Sequence, residues 1–161
     1  MTSTTPLAGF AELYENHYEA VFRAALRVTG NPADAEDVLQ TVFLRVMARG
    51  REVEELALPA AYFRRAAVNA AVDVLRRREL HAESGYDERA SHVAVQPRVL
   101  LKEQLRRAIS ALENDDASLF LLRHVEGLSI EELAEMFKID KNNVSVRLHR
   151  IRQRLRAEME R

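Results

Sequence analysis

Apolar residues recur at three-and-four spacing along most of this chain, and no stretch alternates with period two for long enough to make a convincing strand. The pattern predicts an all-α protein. Phe10, Leu13, Tyr14, Tyr18, Val21, Phe22, Ala25 and Val28 mark a first amphipathic helix that stops at Gly30. Asn31 and Pro32 restart the chain, asparagine as cap and proline at the first helical position. Asp34, Glu36 and Asp37 suit the positive N-terminal end of the second helix. Its apolar set is Ala35, Val38, Leu39, Val42, Phe43 and Val46, ending near Gly50.

Arg51 to Leu58 reads as a polar connection. Pro59 opens a third helix that packs through Tyr62, Phe63, Ala66, Ala67, Ala70, Val74 and Leu75. Arg65, Asn69, Asp73 and Arg76 recur along one polar face, and Arg77 and Arg78 make its end basic. An asparagine inside an alanine-rich helix costs propensity, so Asn69 is either an ordinary surface residue or one kept for a task. From Glu79 to Gln96 periodicity disappears and polar residues take over, which predicts a flexible linker between two small helical domains, 1–78 and 97–161.

The second domain begins at Pro97, with Leu101, Leu105, Ala108 and Leu112 on one stripe. Asn114 can cap the next helix, which buries Leu119, Leu122 and Val125 and ends at Gly127. Ser129 and Glu132 then form a capping box, with Leu128 and Leu133 placed as a hydrophobic staple. The same grammar repeats: Asp140 can cap a last helix and Ile139 and Val144 can staple it. Two capped helices separated by a few turn residues are what a helix-turn-helix requires. At roughly 100° per residue, Val144, Leu148, Ile151 and Leu155 fall on one narrow stripe of the last helix. Opposite lie Asn142, Val146, His149, Arg150 and Gln153, flanked by Asn143, Arg147 and Arg154. Amides and guanidiniums reach base edges and phosphates in a major groove, and a valine there can touch a thymine methyl.

Composition narrows the classes. The chain has 161 residues, no cysteine and a formal net charge of −1. That length buries one good core or two small ones, and lack of cysteine excludes disulfides, zinc–thiolate sites and thiol redox chemistry. No stretch approaches the roughly 18–20 continuous apolar residues of a membrane span, and the N-terminus lacks a signal pattern. A cytoplasmic protein without membrane insertion is expected. Charge is segregated: from Lys141 onward arginine dominates, whereas acidic residues prevail between Glu113 and Asp140. Phosphate-binding loops, dinucleotide fingerprints, nucleophile elbows and histidine metal pairs are all missing, so neither catalytic nor metal nor cofactor residues are expected. Adjacent carboxylates such as Glu36 and Asp37 point to different sides of a helix and serve its dipole and solubility.

Three segments together resemble the small alternative sigma factors of bacteria, the extracytoplasmic-function type. NPADAEDVLQTVFLRV looks like that family's polymerase-binding helix, and YFRRAAVNAAVDVLRRR its promoter-melting helix, with Arg65, Asn69, Asp73 and Leu75 in the motif positions. LLRHVEGLSIEELAEMFKIDKNNVSVRLHRIRQRLR looks like its second conserved domain. The resemblance implies a first domain of region 2 type and a second of region 4 type. It implies that Asp37, Gln40 and Phe43 dock on the clamp coiled coil of core RNA polymerase, and that Leu119 and Leu122 belong to a helix meeting the flap. Asn69 and the Arg51–Leu58 loop are implied to capture a base from the melted −10 element, with Arg64, Arg65, Arg76, Arg77 and Arg78 on phosphates. Asn142, Asn143, Ser145, Val146, Arg147, His149, Arg150 and Gln153 are implied to contact the −35 element. An anti-sigma factor is an implied partner beside polymerase and promoter DNA. The chain departs from the family pattern at Tyr62 (usually tryptophan), Glu113 (proline), Lys138 (glycine), Asn142-Asn143 (Gly-Thr) and Val146 (serine). Two other readings stand beside this one: a stand-alone helix-turn-helix regulator, and a helical adaptor with a vestigial DNA-binding motif.

Overall fold

The computed structural model of the chain describes residues 6–49, 52, 56, 58–83 and 97–161. The expected linker from 84 onward and most of the Arg51–Leu58 connection lie outside the described residues. Among those described, regular structure is helical throughout: α1 (Pro6–Thr29), α2 (Pro32–Arg49), α3 (Pro59–Glu83), α4 (Pro97–Ser110), α5 (Asn114–His124), α6 (Ile130–Phe137) and α7 (Lys141–Met159). The chain divides into two compact units, Met1–Ala71 and Val72–Arg161, with the boundary inside α3. Helix α3 runs past Arg78 to Glu83, because Glu79–Glu83 lose apolar spacing without containing a glycine or proline to end the helix.

In the first unit the α1–α2 corner is built as its sequence predicts. Gly30 adopts φ +68°, and its N–H donates to the Leu26 carbonyl at 2.8 Å. The Asn31 Oδ1 accepts from the N–H groups of Ala33 (2.9 Å) and Asp34 (3.2 Å), satisfying two of the donors that open α2. Thr29 is buried, and its hydroxyl donates to the Ala25 carbonyl at 2.9 Å. This tight reversal lays α1 along α2. Ala24, Ala25 and Ala35 are fully buried between them, small enough to let the helices approach closely. Larger volume comes from an aromatic cluster centred on Phe43. Its ring meets Tyr14 at 4.9 Å and Phe10 at 6.1 Å, both edge-on, and stacks with Phe63 of α3 at 5.3 Å. His17 also stacks with Phe63, at 4.5 Å, and burial holds its imidazole below the usual histidine range. Tyr14 also stacks on Tyr18, 5.3 Å away, at the partly exposed edge of the cluster, so that Tyr18, expected on the packed stripe, lies at the surface.

In the second unit α7 packs on α4, α5 and α6. Val144, Leu148, Ile151 and Leu155 are its buried residues, the stripe read from the sequence. The expected stripe of α4 is displaced: Leu101 is exposed, and Ala108, Ile109 and Leu112 carry the burial. The cap of α5 also differs. Glu113 is the N-cap and makes no side-chain cap bond, while Asn114 is the first helical residue. Both predicted caps of the helix-turn-helix are present. Ser129 accepts from the Glu132 N–H at 3.0 Å while Glu132 accepts from the Ser129 N–H at 3.2 Å. Asp140 accepts from the Asn143 N–H at 2.8 Å.

The turn between α6 and α7 places Lys138 at φ 57°, ψ 44°, a left-handed conformation that an L side chain adopts at a cost. Replacing Lys138 with glycine removes that cost and adds back some unfolded-state entropy. Lys138→Gly is therefore expected to stabilise the second unit by about 0.5–1 kcal/mol, seen as a higher urea midpoint at unchanged m-value. A lower midpoint would show that the lysine side chain contributes more than its backbone costs. Phe43→Ala empties the middle of the aromatic cluster and is expected to cost about 3–5 kcal/mol. Calorimetry of the full chain, reading the transition of the first unit, checks it.

Candidate nucleic-acid interface

The stripe that seats α7 dictates what its other side can offer. Asn142, Asn143, Ser145, Val146, His149, Arg150 and Gln153 are all exposed on it. Val146 stays 39% exposed, an apolar group held in water among amides and guanidiniums. At the N-terminal end of this face Asp140 does two things. Its Oδ1 caps the helix, and its Oδ2 accepts from the Asn143 side-chain amide at 3.3 Å. A carboxylate can only accept, so the Asn143 N–H₂ faces Asp140 and its carbonyl oxygen faces away. Lys141 lies 3.7 Å from Glu131, a solvated pair. The Glu131 carboxyl lies below its usual range through a backbone hydrogen bond first and the Lys141 charge second.

Arg147 differs from its neighbours. Its guanidinium is bound to Asp116, in the first turn of α5, at 2.8 Å, and both side chains are largely covered. On the far side of α7, Arg152 approaches the His124 ring at 3.5 Å. Burial chiefly, then the charges of Arg152 and Arg123, keep His124 below the ordinary histidine range.

On α3, Arg64 and Asn69 are exposed and Arg65 is partly covered. Ala67, Val68, Ala70 and Ala71 are buried on either side of Asn69 in sequence, which leaves the asparagine on the exposed face of α3. Arg77 is exposed and Arg78 partly buried. Arg76, in the second unit, is engaged with the corner between α4 and α5. It donates to the carbonyls of Ser110 (3.3 Å) and Leu112 (2.5 Å) and to the Asn114 side-chain oxygen. Ser110 ends α4 and Leu112 lies just past it, so Arg76 caps the C-terminal end of that helix.

The residues expected to meet polymerase separate into two kinds. Asp37 and Gln40 are exposed on α2, whereas Phe43 is the centre of the aromatic cluster. Leu119 and Leu122 are fully buried in the second unit. These three rings and branches support their helices from beneath rather than forming a surface. The exposed stripe of α2 consists of Asp37, Gln40, Leu44 and Met47, at helical spacing opposite the buried side, with Leu44 64% and Met47 53% exposed. Leu44 and Met47 were legible as a second apolar row at i, i+3, but one that the stronger core row of α2 obscures. On α5 the partly exposed apolar group is Phe120, whose ring lies 4.6 Å from His124. Among the described residues no cluster of three metal-ligating side chains occurs, and no helix is long and apolar enough to cross a membrane.

Comparison with known proteins places both units in one family. Residues 13–80 match the family described as Sigma-70 region 2, and residues 102–155 match Sigma-70, region 4. The chain is 32% identical over 157 residues to the RNA polymerase sigma-E factor of Streptomyces coelicolor, covering 93% of this chain and 85% of that one. It is 24% identical over 165 residues to the ECF RNA polymerase sigma factor SigW of Bacillus subtilis, covering 93% and 88%. A solved structure, the sigma factor RpoE of Bartonella quintana in complex with the anti-sigma factor NepR, shares the fold. Its TM-score is 0.52 at 18% identity, covering 94% of this chain and 96% of that one. With both conserved regions present in order, and relatives matched across nearly the whole length, the chain belongs to the extracytoplasmic-function sigma factors, which bind core RNA polymerase and direct transcription initiation at promoters.

Proposed function

We propose that the two units divide promoter recognition between them. The face of α7 opposite its buried stripe reads the −35 element in the major groove, through Asn142, Asn143, Ser145, Val146, His149, Arg150 and Gln153. Asn69 captures a base of the −10 element once it has left the stack, and Arg64, Arg65, Arg77 and Arg78 hold the backbone nearby. The observation that carries this reading is the exposed row of amides and guanidiniums on a helix whose opposite side is wholly apolar. The first domain thus holds a separated strand and the second grips duplex. The exposed stripe Asp37, Gln40, Leu44 and Met47 docks on the clamp coiled coil of the largest polymerase subunit, with Phe43 shaping it from below. Phe120 and its neighbours on α5 meet the flap, over the support of Leu119 and Leu122. The chain itself performs no catalysis and acts where polymerase is, in the cytoplasm. An anti-sigma factor is a fitting partner, because cover over the α2 stripe would silence every later step.

Core polymerase supplemented with the full chain should start transcripts at a defined position on genomic DNA, and core alone should not. Failure of core to bind the chain would end this reading. Leu44→Ser/Met47→Ser removes apolar area from a surface already exposed in the free chain. It should lower affinity for core at least tenfold while leaving the melting temperature within about 2 °C. Asn69→Ala should slow promoter opening about tenfold with little change in closed-complex affinity. Permanganate reactivity of the melted strand separates the two steps.

A further inference from the structure

Arg147 occupies an ambiguous place on α7. Helical geometry sets it roughly 70° from the centre of the buried stripe, against nearly 180° for Val146. A guanidinium there can turn toward DNA or toward the body of the unit. In the structure it turns inward. The Arg147–Asp116 pair is 2.8 Å long with side-chain exposures of 33% and 17%, against 3.7 Å and two-thirds exposure for Lys141–Glu131, which also joins α7 to a neighbouring helix. Asp116 lies in the first turn of α5, where unpaired backbone N–H groups favour a negative charge. Its carboxylate is thereby fixed at the end of one helix and clasps the middle of another.

The apolar stripe of α7 cannot supply what this pair supplies. Burial of Val144, Leu148, Ile151 and Leu155 is strong but non-directional, and smooth aliphatic surfaces tolerate small rotations. A turn of about 10° about the helix axis carries a side-chain group some 6 Å off the axis by about 1 Å. That displacement is enough to spoil a hydrogen bond to a base edge. A charge-assisted bond to a fixed acceptor resists it.

We propose that Asp116 is a positioning residue, acting through Arg147 to fix the rotation of the recognition helix, and that Arg147 does not bind DNA phosphate. This rests on the reading of α7 as the −35 reader. It removes Arg147 from the set of DNA contacts expected from the sequence and adds Asp116, which touches no DNA, to the residues that govern selectivity.

The test uses holoenzyme assembled from core polymerase and the full chain. A duplex recovered by the wild-type holoenzyme from a pool randomised over the upstream element serves as probe. Its binding is measured from low to moderate salt for wild type, Asp116→Asn, Arg147→Gln and the double variant. Each single variant is expected to bind three- to tenfold more weakly, with an unchanged slope of log K against log salt. Repeating the selection with either variant should relax the preference at several positions together. The double variant should be no worse than the poorer single one, since both changes break the same link. If Arg147→Gln is unfolded at the assay temperature, Arg147→Lys replaces it; weaker binding at the wild-type slope supports positioning, and binding equal to wild type overturns it. A slope lowered by about one in Arg147→Gln, with Asp116→Asn binding as tightly as wild type or tighter, would mean that Arg147 grips phosphate and Asp116 competes for it. Unchanged binding in both single variants also overturns the proposal. An Arg150→Ala holoenzyme that binds the probe like wild type would instead remove the reading of α7 itself, a distinct failure.

Discussion

A helix in a small domain can bury one side only, and α7 obeys that constraint strictly. Val144, Leu148, Ile151 and Leu155 are its buried residues, and the amides and guanidiniums between Lys141 and Met159 are forced elsewhere on the cylinder. The remaining architecture of the second unit serves to hold this division. Helices α4, α5 and α6 supply the floor on which the stripe rests. The capping box of α6, the left-handed Lys138 and the Asp140 cap set where α7 begins. Burial provides the energy, and directional bonds at the helix ends and at Arg147 provide the angle.

The first unit solves a related problem with different materials. Alanines bring α1 and α2 close, and an aromatic cluster that includes Phe63 of α3 fills what the alanines leave. Because Phe43 points into that cluster, the opposite side of α2 is left as an exposed row with two acid or amide members and two apolar ones. Asn69 owes its exposure to the same cause, because the alanines and valine beside it on α3 take the buried side. In both units, the exposed chemistry is a by-product of which side the core demands.

Much of this was legible in the sequence. The helix starts at Asn31, Ser129 and Asp140 rest on short-range bonds between a side chain and the next turn, and such bonds depend on neighbours a few residues away. The buried stripe of α7 follows from period alone. What could not be read was anything decided by residues far apart in sequence. Family resemblance implies that Phe43 helps dock α2 and that Leu119 and Leu122 belong to a helix meeting the flap, but whether an apolar residue faces a core or a partner depends on what packs above it. Arg147 met Asp116, 31 positions earlier, and Arg76 met Leu112, 36 positions later; no local pattern announces either. The N-terminal end of α5 misled for the opposite reason, since asparagine is a favoured cap but Glu113 holds the extended backbone that the position needs.

The bond from the Asn143 amide to Asp140 has a consequence for timing. A free asparagine on a recognition helix samples several rotamers and both amide orientations, and freezing them on contact costs about 0.5–1.5 kcal/mol of entropy per side chain. Here that ordering happens when the protein folds, as part of the same carboxylate contact that starts α7. The Asn143 carbonyl oxygen is thereby turned away from Asp140 before any partner arrives. On the proposed reading of α7, this one corner is a fixed reference from which the remaining contacts find their register.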